Sequence, residues 1–223
     1  MARPVLLVHG ILGQRHLYWN ILARRLADEG LEVHEAVLPS YMLGDVRMAA
    51  RYLALRVREV LAISGATHVD LVCHSAGGLV AREYLARRKG ARWVRTCILL
   101  GTPNQGTHLG TVLAFPFVRI AAQARPGSAF LRELNEAAVP ARTKVWNLWS
   151  VFDGVVIPSE LAVLPGARNV CVPTTHWGFL WSRGVHRLVA DLLLGRLDSV
   201  EAAQAAADGQ PPEPQQASPS GAT

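Results

Sequence analysis

Residues 68 to 90 pass from a short β-branched stretch, His68-Val69-Asp70-Leu71-Val72, into a run whose Leu79, Val80, Tyr84 and Leu85 recur at helical spacing. Only Cys73-His74-Ser75-Ala76-Gly77-Gly78 separate the two, and Gly90 closes the helix as a C-cap. A strand that turns this sharply into a helix forces its apex residue into a strained backbone conformation and leaves no room for bulky neighbours two positions away. The apex side chain, here Ser75, is lifted clear of the sheet. This is the geometry of the pattern Gly-x-Ser-x-Gly, with Cys73 in place of the first glycine at some expected steric cost.

The same β-to-α succession recurs along the chain. Strands are expected near 4–8, 31–38, 68–73, 93–100, 143–150 and 168–173, and helices near 17–29, 46–64, 76–89 and 182–194. The last helix is the clearest, with Val185, Leu188, Val189, Leu192 and Leu193 at i, i+3, i+4, i+7 and i+8. Such alternation predicts the α/β class: a mostly parallel sheet of about six strands with helices on both faces.

A serine is a poor nucleophile unless a base and an orienting acid accompany it. Asp153 follows the expected strand at 143–150 and sits beside Gly154, ahead of Val155-Val156-Ile157-Pro158. His176 follows the strand at 168–173, in the loop Pro173-Thr174-Thr175-His176-Trp177-Gly178 that opens the last helix. Each has a plainer reading: Ser75 as a turn residue, Asp153-Gly154 as an ordinary turn pair. Among the other histidines only His108 rivals His176; His74 is expected to point away from Ser75, and His9 to be structural. The chain order serine, acid, histidine favours Ser75, Asp153 and His176 as a catalytic triad. After the first strand, His9-Gly10-Ile11-Leu12-Gly13 is a glycine-bearing turn able to aim an amide at a developing oxyanion. The expected donors are the amides of Ile11 and Ala76, and losing one such donor costs roughly 3–4 kcal/mol of transition-state stabilisation.

Six stretches now stand in one order: His9 to Gly13, Asp70 to Gly78, Gly101-Thr102-Pro103-Asn104-Gln105-Gly106-Thr107, Pro126 to Leu131, Asp153 to Pro158, and His176-Trp177-Gly178. On these the chain resembles a small bacterial lipase or esterase of the α/β-hydrolase superfamily, over residues 5 to about 195. The resemblance implies a minimal α/β-hydrolase fold and a serine carboxylic-ester hydrolase acting on lipids or other acyl esters through an acyl-enzyme intermediate, with no cofactor. Thioesterase and acyltransferase activity use the same triad, and a non-catalytic binding protein on this fold is the remaining alternative.

Tyr18, Trp19, Phe115, Phe117, Phe152 and Trp177 lie near these loops in sequence and are expected to line an apolar acyl pocket. Between residues 107 and 142 the alternation breaks, and dense apolar content suggests either a short cap over the site or ordinary helix packing on the sheet. No cluster of His, Asp, Glu or Cys has metal-ligand spacing.

With 223 residues, half of them hydrophobic, one core suffices, so residues 1–197 are expected to form one domain. From Asp198 the apolar periodicity fades and residues 198–223 are expected to be a disordered tail. The tail holds Asp198, Glu201, Asp208 and Glu213 and no Lys or Arg, so a total of +6 with −4 in the tail leaves +10 on the rest. No stacking or groove-reading motif accompanies that charge, which argues against nucleic acid and leaves transient contact with a lipid interface open. Cys73, Cys97 and Cys171 all fall in expected strands and read as free thiols. With no signal peptide in view the expected location is the cytoplasm, or outside the cell if a leader has been removed from the natural chain.

Overall fold

The computed structural model of the chain describes residues 3–13, 18–109 and 118–209. Six strands, β1 (Pro4–Val8), β2 (Glu32–Ala36), β3 (Val69–His74), β4 (Val94–Leu100), β5 (Lys144–Trp149) and β6 (Arg168–Cys171), form one sheet in the order β2-β1-β3-β4-β5-β6. Every pair is parallel, with Val8 opposite Cys73 and His74 opposite Leu100. The expected strands are all present, their ends shifted by at most two residues.

Seven helices join them among the described residues: α1 (Asn20–Asp28), α2 (Val46–Ser64), α3 (Ala76–Arg87), α4 (Arg119–Gln123), α5 (Ala129–Glu136), α6 (Arg183–Leu194) and α7 (Val200–Ala207). The two-residue period of the strands sorts the core into two layers. Leu6, Val8, Leu71, Cys73, Cys97 and Leu99 pack with α2, α3, α4 and α5, whereas Val5, Leu7, Val72, Ile98, Leu100 and Trp146 pack with α1, α6 and α7. The α6 stripe read from sequence is buried at all five positions, and each such side chain contributes about 1.5–3 kcal/mol relative to exposure. Its ends are set by Ser182, whose hydroxyl accepts from the Val185 amide, and by Gly195 at φ +73°. No described helix is long and apolar enough to cross a membrane.

Two expectations change. Residues 200–207 are helical rather than disordered, because Ala202, Ala203 and Ala205–Ala207 are strong helix formers and Gln204 has a partner. Cys171 lies on edge strand β6, and its N–H donates to Gln204 Oε1 at 2.8 Å while Gln204 Nε2 donates to its carbonyl at 2.8 Å. The side-chain amide thus stands in for a neighbouring strand. Residues 210–223 lie outside the described residues. Of the segment 107–142, α4 and α5 place Ile120, Phe130, Leu131 and Leu134 in the core layer beside α3, so this part packs on the sheet and is no free cap. Phe115 and Phe117 lie outside the described residues.

Candidate active site

Parallel pairing brings the C-terminal ends of all strands to one edge, and the loops that leave them carry the candidate residues. Ser75 has φ 55° and ψ −129°, a left-handed conformation that costs a non-glycine residue roughly 1–3 kcal/mol. The surroundings enforce it. Its N–H donates to the Leu100 carbonyl at 2.8 Å, and the Gly78 N–H donates to its own carbonyl at 3.0 Å. A Cβ on Gly77 would stand 2.5 Å from the Val8 carbonyl oxygen, and one on Gly78 would stand 1.9 Å from Thr102 Oγ1. The first turn of α3 therefore fits against β1 and the exit of β4 only without side chains. Cys73, in place of the pattern's first glycine, is fully buried. It turns into the α2–α3 core layer beside Cys97, and burial together with that neighbour pushes its thiol pKa up.

Asp153 and His176 are both buried and are joined to each other. His176 Nδ1 is 2.9 Å from each Asp153 carboxylate oxygen, and the His176 amide donates to the Asp153 carbonyl at 2.9 Å. The carboxylate is fixed in turn by the amides of Val155 at 3.0 Å and Val156 at 2.7 Å on Oδ1. Because Nδ1 faces a carboxylate it carries the proton of the neutral ring, which leaves Nε2 as the lone-pair nitrogen. The ring centroid of His176 lies 4.7 Å from that of His74, the residue just before Ser75. His108, the rival base, is exposed and forms no side-chain hydrogen bond among the described residues, its amide donating to the Ile157 carbonyl at 2.9 Å.

In the turn after β1, Leu12 adopts φ 61° and is exposed. His9 is buried, donating from Nδ1 to the Gly10 carbonyl at 2.8 Å and accepting the Leu38 amide at Nε2 at 3.1 Å, a structural role as expected. A Cβ on Gly10 would be 2.9 Å from Ser75 Cβ, so this turn lies directly against the elbow. Neither the Ile11 amide nor the Ala76 amide, the first of α3, has an acceptor among the described residues.

Of the expected pocket residues, Phe152 and Trp177 are exposed on the acid and base loops, with Leu12, Val151 and Ile157 on the same rim. Tyr18 is half-buried, its ring 6.4 Å from that of Trp177. Trp19 is a correction: it is 1% exposed and packs with Leu22 and Leu26 in the α1–α6 core layer, so it lines no pocket. Two residues were missed. Gly101, at φ +55°, would place a Cβ 2.9 Å from Asp153 Oδ2 and 3.2 Å from His176 Nδ1, so only glycine leaves space for that pair. His74 does point away from Ser75, yet it donates from Nε2 to the His176 carbonyl at 2.9 Å and meets Tyr18 Oη at Nδ1 at 2.5 Å. Burial, then the neighbouring His176, lowers the His74 pKa to about 3. No group of three His, Cys, Asp or Glu side chains suited to a metal comes together among the described residues.

A family model described as a domain of unknown function, DUF7379, matches residues 1–112. The chain belongs to that family. In this DUF7379 member the match takes in the turn at Gly10–Gly13 and Ser75, while Asp153 and His176 lie beyond it. Triacylglycerol lipases of Pseudarthrobacter phenanthrenivorans and Burkholderia plantarii are each 34% identical to it over 110 residues. That is 47% of this chain and 34% and 30% of theirs, so the match spans about a third of those curated relatives.

Solved structures extend the likeness to nearly the whole chain. Lipase B of Aspergillus fumigatus has a TM-score of 0.73 at 20% identity, covering 91% of this chain and 56% of that one. The mature lipase BlEst2 of Bacillus licheniformis has 0.72 at 19%, covering 86% and 92%. An α/β-hydrolase enzyme from a lagoon-sediment metagenome has 0.64 at 20%, covering 88% and 92%. The fold is that of the α/β-hydrolases, and the resemblance to lipases and esterases of that superfamily holds.

Proposed function

We propose that this chain is a serine carboxylic-ester hydrolase of the lipase/esterase type, with Ser75 as nucleophile, His176 as general base and Asp153 as its orienting acid. The observation that carries the reading is the pairing of a strained elbow serine with a buried, doubly bonded Asp153–His176 pair at the same sheet edge. Strain of this kind persists only where the surroundings impose it, and here they hold one hydroxyl-bearing residue clear of the sheet.

Ser75 attacks the ester carbonyl as His176 Nε2 takes its proton, and the Asp153 carboxylate stabilises the imidazolium through Nδ1–H. The amides of Ile11 and Ala76 receive the oxyanion. His176 then returns the proton to the leaving alcohol, and water, activated by the same base, hydrolyses the acyl-enzyme. None of these steps calls for a cofactor. The apolar rim of Leu12, Phe152, Ile157 and Trp177 favours hydrophobic acyl groups, in keeping with the triacylglycerol lipases among the relatives.

The test is hydrolysis of p-nitrophenyl esters of rising chain length by wild type, Ser75→Ala, His176→Ala and the double variant. The single variants should lose turnover while remaining folded, and the double variant should lose no more turnover than either, because the residues act as a unit. Undiminished turnover in Ser75→Ala would refute the assignment, and loss with His108→Ala but not His176→Ala would move the base.

A further inference from the structure

We propose that Tyr18 and His74 are positioning residues that tie the Gly10–Gly13 turn to the loop of His176; the proposal rests on the hydrolase reading above for its kinetic consequence only. The turn is built around the tyrosine. A Cβ on Gly13 would lie 2.9 Å from two carbons of the Tyr18 ring, and one on Gly10 would lie 3.1 Å from its hydroxyl. The two glycines of the His-Gly-x-x-Gly turn thus clear a slot for that ring.

The hydroxyl has two polar neighbours. It is 3.3 Å from the Gly10 nitrogen and 2.5 Å from His74 Nδ1. On its far side His74 Nε2 is 2.9 Å from the carbonyl oxygen of His176. Proton inventory fixes the direction of every bond. A carbonyl only accepts, so His74 carries its proton on Nε2. The ring is neutral, since burial and His176 both oppose its charging, so Nδ1 is bare and only accepts. The tyrosine therefore gives its single proton to Nδ1 and accepts from the Gly10 amide. Burial raises the Tyr18 pKa, so the hydroxyl keeps that proton to donate.

The result is one directed chain from the Gly10 amide through Tyr18 and His74 to the His176 carbonyl. The His176 amide is already bound to the Asp153 carbonyl, so the peptide groups on both sides of this residue are held. A ring whose backbone is clamped on both sides keeps Nε2 aimed, and an error of about 1 Å in such a group can cost up to a hundredfold in rate. Removing the tyrosine hydroxyl also leaves Nδ1 unsatisfied. With that anchor gone the His74 ring is held at one end only and can turn, which loosens the hydrogen bond from Nε2–H to the His176 carbonyl.

Tyr18→Phe keeps the ring and removes only the hydroxyl. On p-nitrophenyl esters it should lower kcat about tenfold or more while leaving KM within about twofold, since binding contacts are untouched. His74→Gln, whose amide can reach the His176 carbonyl, should retain most of the kcat that His74→Leu loses, and Tyr18→Phe combined with His74→Leu should lose no more than His74→Leu alone. Wild-type kcat in Tyr18→Phe, or equal losses in His74→Gln and His74→Leu, would overturn the proposal. A readout that needs no turnover separates this from the hydrolase reading. Long-range proton–nitrogen NMR of the wild-type imidazoles should show His74 protonated at Nε2 alone, and in Tyr18→Phe the Nδ1 signal should shift to that of an imidazole nitrogen that accepts no hydrogen bond, with the proton still on Nε2. A His74 proton on Nδ1 in wild type sinks the strut whether or not any ester is cleaved. If no ester is cleaved but the tautomer is as stated, the hydrolase reading falls and the strut stands.

Discussion

Two buried histidines should make this fold sensitive to mild acid. His74 and His186 are both almost fully buried, and burial lowers their pKa values from 6.5 to about 3 and about 4. His186 donates from Nε2 to the Leu180 carbonyl at 2.9 Å, and its buried Nδ1 has no partner among the described residues. Below pH 6.5 the unfolded chain binds a proton at each site that the native state refuses. Stability is therefore fully present above pH 6.5 and falls with pH until the native pKa is reached, by about 1.4 kcal/mol per pH unit for each ring. By pH 4.5 each histidine has cost about 2.5 kcal/mol, together about 5 kcal/mol against the roughly 5–15 kcal/mol typical of a domain. The assay is urea unfolding of wild type and His186→Gln at pH 7.5 and 4.5, read as midpoints at constant m-value. Carboxylates and other histidines titrate alike in both proteins, so the difference between the two pH-dependent losses isolates His186. The variant should lose about 2.5 kcal/mol less than wild type over that interval. Identical losses would show that His186 is not held neutral by burial and would refute the reasoning.

Gly101→Ala should pay for a left-handed alanine, about 1–2 kcal/mol, and also push on the Asp153–His176 pair, lowering ester turnover at least tenfold and Tm by about 3–6 °C. Gly195→Ala, with φ +73° and nothing within 4 Å, carries the backbone cost alone, so it should lower Tm and leave turnover intact; equal turnover in both variants refutes the crowding. Among the three thiols, Cys171 is half-buried whereas Cys73 and Cys97 are buried, with the Cys73 pKa raised. Native protein should therefore give one fast equivalent with Ellman's reagent and three in urea, and three fast equivalents without denaturant would contradict the burial.

The sheet was legible because strand and helix periods differ and because a short β-to-α turn implies parallel neighbours. The Asp153–His176 pair was legible from the loops that follow the fifth and sixth strands and from order along the chain. Trp19 was misread from nearness in sequence, although its spacing to Leu22 and Leu26 already put it on the apolar stripe of α1. The helix at 200–207 was missed because loss of large apolar residues was read as loss of structure, while its alanines and Gln204 serve the β6 edge. The segment 107–142 invited a cap because apolar content does not say which surface it covers, and its helices at 119–136 cover the α3 side of the sheet.

His74 shows where local reading ends. Alternation along β3 assigns it to the face of Val72, on which α1 and α6 pack, and so away from Ser75. That much follows from the period of two. Its partners do not, since Tyr18 is 56 and His176 is 102 residues distant. The glycines follow the same rule. Gly77 is required by the Val8 and His9 carbonyls, Gly78 by Thr102, and Gly101 by Asp153 and Phe179. Each of these three glycines records a close approach whose other side lies elsewhere in the chain. A glycine pattern can therefore locate a site in sequence, while the residue that makes it necessary is identified only when the strands are side by side.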